Sequence, residues 1–277
     1  KYTVAGLTLS VLLIGLPAQA QKRPLSLDDI YNVREVRDPQ RSPDGKWVAY
    51  TVSRAIRETD RNDTDIWMVS WDGREQIQVT STPEVESTPR WSPDGRYMAF
   101  LSSRQGSKLA QVWLLNRAGG EAVKITDVKG KVTDYVWSPN SRQMVLVVKE
   151  PDPRDADAGK EPEKQPDGTI KTPKPIVIDR YYFKADVDGY LRGERSHLYT
   201  FDLDSKETLP LTPGTFDEDS PAWSPDGKRI AFIRRHGDGD ADRRPNRDLF
   251  VTETCPCGQP ERLTTTPAEE SGRPAWS

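Results

Sequence analysis

Apolar and polar residues alternate along this chain in short runs, and each run is bounded by turn residues. Runs of this length and period predict β-strands. Four of them directly follow a turn, at residues 46–50, 96–100, 142–146 and 228–232. A second run comes after a polar loop in each case, at residues 65–69, 111–115, 197–201 and 248–251. The pattern therefore predicts a chain built from repeated strand pairs.

The turns before the first strand of each pair repeat one motif. Ser-Pro-Asp-Gly occurs at residues 42–45, 92–95 and 224–227, with a degenerate copy at 138–141. Proline presets φ, aspartate bonds back to the backbone and glycine accepts a positive φ, so each copy predicts a hairpin turn. Tryptophan precedes later copies, at Trp91, Trp137 and Trp223, and Trp276 begins another. We expect these tryptophans to pack between repeats.

A third predicted strand in each repeat ends in threonine, at Thr80, Thr126, Thr212 and Thr264. With the strand that ends at the tryptophan, each repeat has four short antiparallel strands, which is one propeller blade. A spacing near 50 residues is also typical of propellers. The predicted fold class is all-β: a β-propeller fragment of four four-stranded antiparallel blades plus the start of a fifth. The chain stops within a copy of the repeat, so we expect it to be part of a longer protein.

The residues before the first blade predict a signal and a leader. Lys1, an apolar stretch and the box Ala18-Gln19-Ala20 have the order of a secretory signal peptide, with cleavage after Ala20. The apolar stretch is shorter than the ~18 residues that span a bilayer, so no membrane span is expected in the mature chain. The expected domains are a signal peptide at 1–20, a leader at 21–36 and a partial propeller at 37–277. Ser26-Leu27-Asp28-Asp29 has the form of a capping box and predicts a short helix.

Composition limits the partners and the compartment. The chain has a formal net charge of −3 and no concentrated basic face, which argues against nucleic acid. The signal peptide predicts a periplasmic or secreted protein. Cys255 and Cys257 fall in a predicted turn, where they form either a local bridge or two incidental thiols.

One long insertion, at 150–195 within the third blade, interrupts the repeat. Its first part is rich in proline and charge and predicts a loop. Its second part is aromatic and predicts an ordered excursion, such as a hairpin. Ordered insertions on rigid scaffolds often carry function. The candidate substrate-binding residues are therefore Arg180, Tyr181, Asp188 and Tyr190, with packing of the aromatics onto the blades as the equal alternative.

No catalytic or cofactor motif is present in the sequence. The chain lacks the nucleophile elbow, the zinc motif His-Glu-x-x-His and glycine-rich phosphate loops, so we expect no catalytic residue and no cofactor here. Asp238, Asp240 and Asp242 alternate as in a calcium loop, but the required glycine and glutamate are missing. No metal site is predicted.

The leader, the first turn and the insertion resemble one known family. Ser26-Leu27-Asp28-Asp29, the run 37–45 and the insertion from Asp179 to Leu191 resemble secreted prolyl oligopeptidase-family serine peptidases, in the branch of acylaminoacyl peptidases and bacterial dipeptidyl peptidases. The resemblance implies a propeller that caps a C-terminal α/β-hydrolase domain and limits substrates to short peptides. The catalytic triad of that family lies beyond residue 277, so no triad residue is assigned.

A second class of protein fits the repeat as well. Non-enzymatic periplasmic propellers, like that of the Tol–Pal system, share the signal, the turns and the blades and bind protein partners. The leader and the long insertion favour the peptidase cap over this scaffold.

Overall fold

The computed structural model describes residues 23–152, 178, 181, 183–186, 189–191, 193–236, 246–255, 258–267 and 269–277. These residues form four sheets, each of four antiparallel strands, one two-stranded hairpin and one short 3-10 helix, Leu27–Asn32. The predicted all-β blade architecture is confirmed. The predicted helix is confirmed too, because the backbone N–H and the Oγ of Ser26 both donate to the Asp29 carboxylate, at 2.7 and 3.0 Å.

The first two blades each follow the chain without interruption. Blade 1 contains β1 (Arg34–Arg41), β2 (Trp47–Ile56), β3 (Arg61–Ser70) and β4 (Gln76–Gln78). Blade 2 contains β5 (Glu86–Trp91), β6 (Tyr97–Ser102), β7 (Gln111–Asn116) and β8 (Val123–Lys124). Each sheet is a meander in which neighbours in sequence pair.

The third blade carries the insertion. Blade 3 contains β9 (Lys131–Trp137), β10 (Gln143–Glu150), β13 (Arg195–Asp202) and β14 (Thr208–Pro210). The hairpin strands β11 (Lys184–Ala185) and β12 (Gly189–Tyr190) fall between β10 and β13. Blade 4 contains β15 (Glu218–Trp223), β16 (Arg229–His236), β17 (Asn246–Glu253) and β18 (Glu261–Arg262). The first strands of successive blades contact one another, so they form the inner wall of the propeller.

Each repeated turn is held by its own serine. In blade 4, Ser224 Oγ donates to Asp226 Oδ1 at 2.6 Å and accepts the Arg229 N–H at 2.9 Å. The Ser224 hydroxyl lowers the pKa of Asp226 most, and the backbone N–H of Lys228, which also donates to Asp226, adds to this effect. Gly227 takes the left-handed conformation that the turn requires, with φ of 70°. The degenerate copy keeps this geometry with Ser141 at φ of 61°.

The tryptophans that precede the repeated turns hydrogen-bond each blade to the blade before it. The indole N–H of each of the four tryptophans of the repeat donates to a backbone carbonyl of the preceding inner strand. The pairs are Trp91 to Gln40 at 2.9 Å, Trp137 to Arg90 at 3.4 Å, Trp223 to Val136 at 3.4 Å and Trp276 to Ala222 at 3.1 Å. The expected packing of tryptophan between blades is confirmed, and the bond from Trp276 shows a fifth repeat beginning against blade 4.

The outermost strands end earlier than the sequence predicts. They stop at Gln78, Lys124, Pro210 and Arg262, two residues before the threonines. Each threonine instead bonds to the third strand of its own blade. Its Oγ accepts the backbone N–H of the second residue of the predicted run: Ile66 at 2.9 Å, Val112 at 2.9 Å, Leu198 at 3.0 Å and Leu249 at 2.9 Å. The threonine hydroxyl thus takes the place of a backbone carbonyl as the acceptor for the third strand. It does so at the point where the outermost strand ends and the connection to the next blade begins.

The hydrophobic core lies between consecutive blades. One cluster joins blades 2 and 3 around Leu114 and Tyr135, and a second joins blades 3 and 4 around Val147 and Phe232. A third joins blades 1 and 2 around Ile66 and Trp113. Each blade is therefore stabilised by its neighbour, as expected for a repeat protein.

Candidate functional site

The base of the insertion is fixed to both flanking blades. Glu150, at the end of β10, pairs in the ladder with Arg195, at the start of β13. Beyond this pair, the buried carboxylate of Asp152 accepts the backbone N–H of Gly193 at 3.1 Å and holds the two stems together. On the other side, Arg195 bonds to Asp217, in the connection to blade 4, at 2.9 Å. The base of the insertion is therefore bonded both within blade 3 and to the connection that leads to blade 4.

The second part of the insertion contains a hairpin, in agreement with the sequence. Lys184 pairs with Tyr190 across β11 and β12, and the Leu191 N–H donates to the Phe183 carbonyl at 2.7 Å. Three described aromatics keep much of their surface exposed: 68% for Tyr181, 40% for Phe183 and 47% for Tyr190. The other two candidate residues, Arg180 and Asp188, lie outside the described residues.

The exposed hairpin offers an apolar face with a positive charge. The Lys184 ammonium lies 5.8 Å from the centroid of the Tyr190 ring. A cation over an aromatic ring keeps its charge available while it orders the ring. Exposed aromatic surface of this kind is characteristic of contact sites. The described residues of this hairpin, 183–186 and 189–191, together with Tyr181, are the candidate functional surface.

The inner wall bears paired charges of both signs. Arg90 of β5 bonds to Asp38 of β1 at 2.7 Å, and Arg273, at the start of the fifth repeat, bonds to Asp134 of β9 at 2.5 Å. Burial raises the pKa of Asp134, while the nearby Arg273 opposes that rise. Since each carboxylate has a guanidinium partner, these pairs hold blades together, and no acid among them is free to act as a base.

A buried acid lies at the connection between blades 3 and 4. Glu218 is 1% exposed, and its Oε1 accepts a hydrogen bond from Arg234 Nε at 2.9 Å. Burial raises the pKa of Glu218 to about 8, against the opposing effects of Arg234 and the Thr212 hydroxyl. A carboxyl with this pKa suits proton transfer, but burial removes Glu218 from contact with a ligand.

Sequence reasoning missed a polar cluster at the base of the insertion. Tyr199 donates its hydroxyl proton to Glu150 Oε1, and His197 Nδ1 lies 3.2 Å from the same oxygen. Burial raises the pKa of Tyr199, and the hydrogen bond to Glu150 adds to that rise. Pairing of β10 with β13 joins these residues across the whole insertion, and no local spacing in the sequence signals it. The cluster contains no nucleophile.

Metal and membrane signals are absent from the part of the chain that the structure describes. No group of three potential metal-binding side chains occurs among those residues. Asp238, Asp240 and Asp242 lie outside them. No described helix is long and apolar enough to cross a membrane. Cys255 is disulfide-bonded, and Cys257, the only other cysteine of the chain, is outside the described residues.

The chain is similar to propeller proteins, and its relatives include both peptidases and TolB proteins. Residues 30–159 match the model of the TolB beta propeller domain family, PD40. The chain is 31% identical over 230 residues to the uncharacterized peptidase YuxL of Bacillus subtilis, covering 83% of this chain and 34% of YuxL. It is 33% identical over 221 residues to dipeptidyl-peptidase 5 of Porphyromonas gingivalis, covering 76% of this chain and 31% of that protein. The chain thus spans about a third of the length of these relatives.

Solved structures confirm the fold. Acylaminoacyl peptidase from Pyrococcus horikoshii superposes with a TM-score of 0.61 at 20% identity, over 85% of this chain and 33% of that chain. TolB from Acinetobacter baumannii superposes with a TM-score of 0.53 at 19% identity, over 86% of this chain and 45% of that chain. The same blades therefore occur in an enzyme and in a TolB protein.

Proposed function

We propose that this propeller is the cap domain of a serine peptidase that acts on short peptides. In this proposal it limits access to an α/β-hydrolase domain that follows residue 277. The observation that carries the proposal is the similarity to two peptidases at 31% and 33% identity, over about a third of their length. A region that is shared with peptidases and lacks a nucleophile elbow fits a cap rather than a catalytic domain.

The hairpin supports this role. The base of the insertion that carries it is closed by the Asp152–Gly193 bond and paired with the connection to blade 4, while Tyr181 and Tyr190 are exposed. We infer that the hairpin faces the hydrolase domain and forms part of the wall of the substrate cavity. In that position Arg180 and Asp188 would meet the charged ends of a peptide through charge-assisted hydrogen bonds.

The first test is covalent labelling of the full-length protein. A fluorophosphonate should label one serine of the full-length protein and leave the 277-residue chain unlabelled. Labelling of the 277-residue chain at one serine would overturn the proposal that the catalytic serine lies in the hydrolase domain after residue 277. The sequence beyond residue 277 provides a second check, because the proposal requires a Gly-x-Ser-x-Gly elbow there.

The second test concerns the hairpin. In the full-length protein, Tyr190→Ala and Arg180→Ala should lower kcat/KM for short peptides several-fold, roughly 3- to 10-fold, and change stability by less than about 1 kcal/mol. Trp71→Ala is the matched control, since Trp71 is 68% exposed, like Tyr181, but lies in the β3–β4 turn at the opposite end of the blades. Unchanged kinetics with a large loss of stability would assign the hairpin to packing.

The alternative function is a periplasmic scaffold that binds protein partners. The match to the TolB beta propeller domain and the superposition on TolB support this alternative. A reading frame that ends after a few more blades, without a nucleophile elbow, would favour the scaffold.

We also propose that the protein is periplasmic or secreted, with cleavage after Ala20. The disulfide at Cys255 supports an oxidising compartment. N-terminal sequencing of the protein from the periplasm or medium should begin at Gln21. Recovery from the cytosol with residues 1–20 intact would contradict this location.

A further inference from the structure

A cleft of about 690 Å³ lies between the second and third blades. Its floor contains Ile125 and Val148, which are buried members of the core between these blades. Tyr199 and Val128 form its sides. A volume of this size lies within the range of pockets that bind small ligands, and an apolar floor is typical of them.

The wall from blade 2 is rigid because one buried side chain holds it. Gln111 Nε2 donates to the carbonyls of Val128 and Gly130, at 3.2 and 3.1 Å, and its Oε1 accepts from Thr126 Oγ at 3.0 Å. Gly130 also rests directly on β10, since a Cβ there would lie 2.5 Å from the Lys149 carbonyl oxygen. A wall that is already ordered loses little conformational freedom when a ligand binds.

The two acids in the cleft are already engaged. Asp127 accepts a salt bridge from Lys124 at 2.7 Å. Glu150 accepts the Tyr199 hydroxyl and lies against His197 Nδ1. The Lys124 ammonium offsets the charge of Asp127, whereas Glu150 keeps its negative charge, which the Tyr199 hydroxyl stabilises.

Two of the three lysines that line the cleft have no ion pair with a described acid. Lys129 and Lys206 line the cleft and are exposed, and no described acid forms an ion pair with either. Counting Lys124, the cleft carries three ammonium groups and two carboxylates. The lysines are exposed, so the excess positive charge lies near the opening of the cleft, above its apolar floor. The cleft is therefore complementary to a ligand that has an apolar group and one negatively charged group.

We propose that this cleft binds the free carboxyl end of a short apolar peptide. The apolar side chain lies on Ile125 and Val148, and the carboxylate meets the ammonium groups of Lys129 and Lys206. Charge complementarity selects the carboxyl end over the amino end. The site does not depend on the proposed peptidase activity, because every group that forms it belongs to blades 2 and 3.

The test uses two matched probes with the full-length protein. N-acetyl-phenylalanine carries the carboxylate, and N-acetyl-phenylalanine amide lacks it. Binding is measured by saturation-transfer NMR and by calorimetry at low and high salt. We expect the acid to bind with a Kd on the order of 1 mM and the amide about 3- to 10-fold more weakly. The preference should shrink as salt rises.

Variants assign the binding to the cleft. Lys129→Gln with Lys206→Gln should weaken the acid about 3- to 10-fold and leave the amide unchanged. Lys228→Gln is the control, because Lys228 is an equally exposed lysine in a blade 4 turn. Equal binding of acid and amide, equal loss in the control, or no binding of the acid at about 10 mM would overturn the proposal.

Discussion

Replacing Thr212 by valine removes one hydroxyl from the connection between blades 3 and 4 without changing the volume of the side chain. Thr212 is 2% exposed, and its Oγ accepts the Leu198 N–H at 3.0 Å. The same hydroxyl also helps to hold down the raised pKa of the buried Glu218 carboxyl. The valine variant therefore leaves the buried Leu198 N–H without its acceptor.

The expected loss follows from this amide. A buried donor without a partner costs about 1–3 kcal/mol, so we expect a loss of about that size. No cavity contributes, since threonine and valine have nearly the same shape. Thr200→Val is the matched control: Thr200 lies two residues from Leu198 on β13 and makes only a 3.5 Å contact to the Leu209 carbonyl. Its change should stay within about 0.5 kcal/mol.

Urea unfolding followed by tryptophan fluorescence measures both variants. Hydrogen exchange of the Leu198 amide adds a local readout, because this proton should exchange faster in the Thr212 variant alone. If Thr212→Val costs no more than Thr200→Val, then the threonine hydroxyl is not the acceptor that completes the third strand.

Three further predictions concern the repeat and its buried acid. Trp91→Phe should cost about 1–3 kcal/mol in urea unfolding, because the 2.9 Å bond to the first blade is lost, whereas Trp71→Phe, at a 68% exposed turn, should cost less than about 0.5 kcal/mol. Ser92→Ala should cost about 1–3 kcal/mol by the same assay, because Ser92 is fully buried and accepts the Tyr97 N–H; an unchanged midpoint would contradict its role in the turn. Glu218 has its pKa raised from 4.5 to about 8 by burial, so the folded protein binds this proton more tightly than the unfolded chain, and stability should fall as pH rises from about 4.5 to 8. Glu218→Gln should make that fall shallower; an identical pH profile would refute the assignment.

The blades follow from the sequence because their determinants are local. Ser224, Asp226 and Gly227 form their turn with one another, and strand alternation sets which residues face the core. Tryptophan before the turn predicts a contact with the preceding blade, which Trp223 makes with Val136. The hairpin in the insertion is similarly local, since Lys184 and Tyr190 pair across a short turn.

Other features depend on contacts between residues far apart in sequence, so only the tertiary structure decides them. Glu150 and Tyr199 meet because β10 pairs with β13 across the insertion, and Arg273 reaches Asp134 across a whole blade. The threonines after the outer strands look like strand ends in sequence, yet Thr212 bonds to the third strand instead. The chain by itself therefore determined the repeating blade, its turns and its aromatic hairpin, because those depend on neighbouring residues. The ion pairs, the buried acid and the cleft between blades exist only after the blades pack, because packing alone brings their groups together and removes them from water.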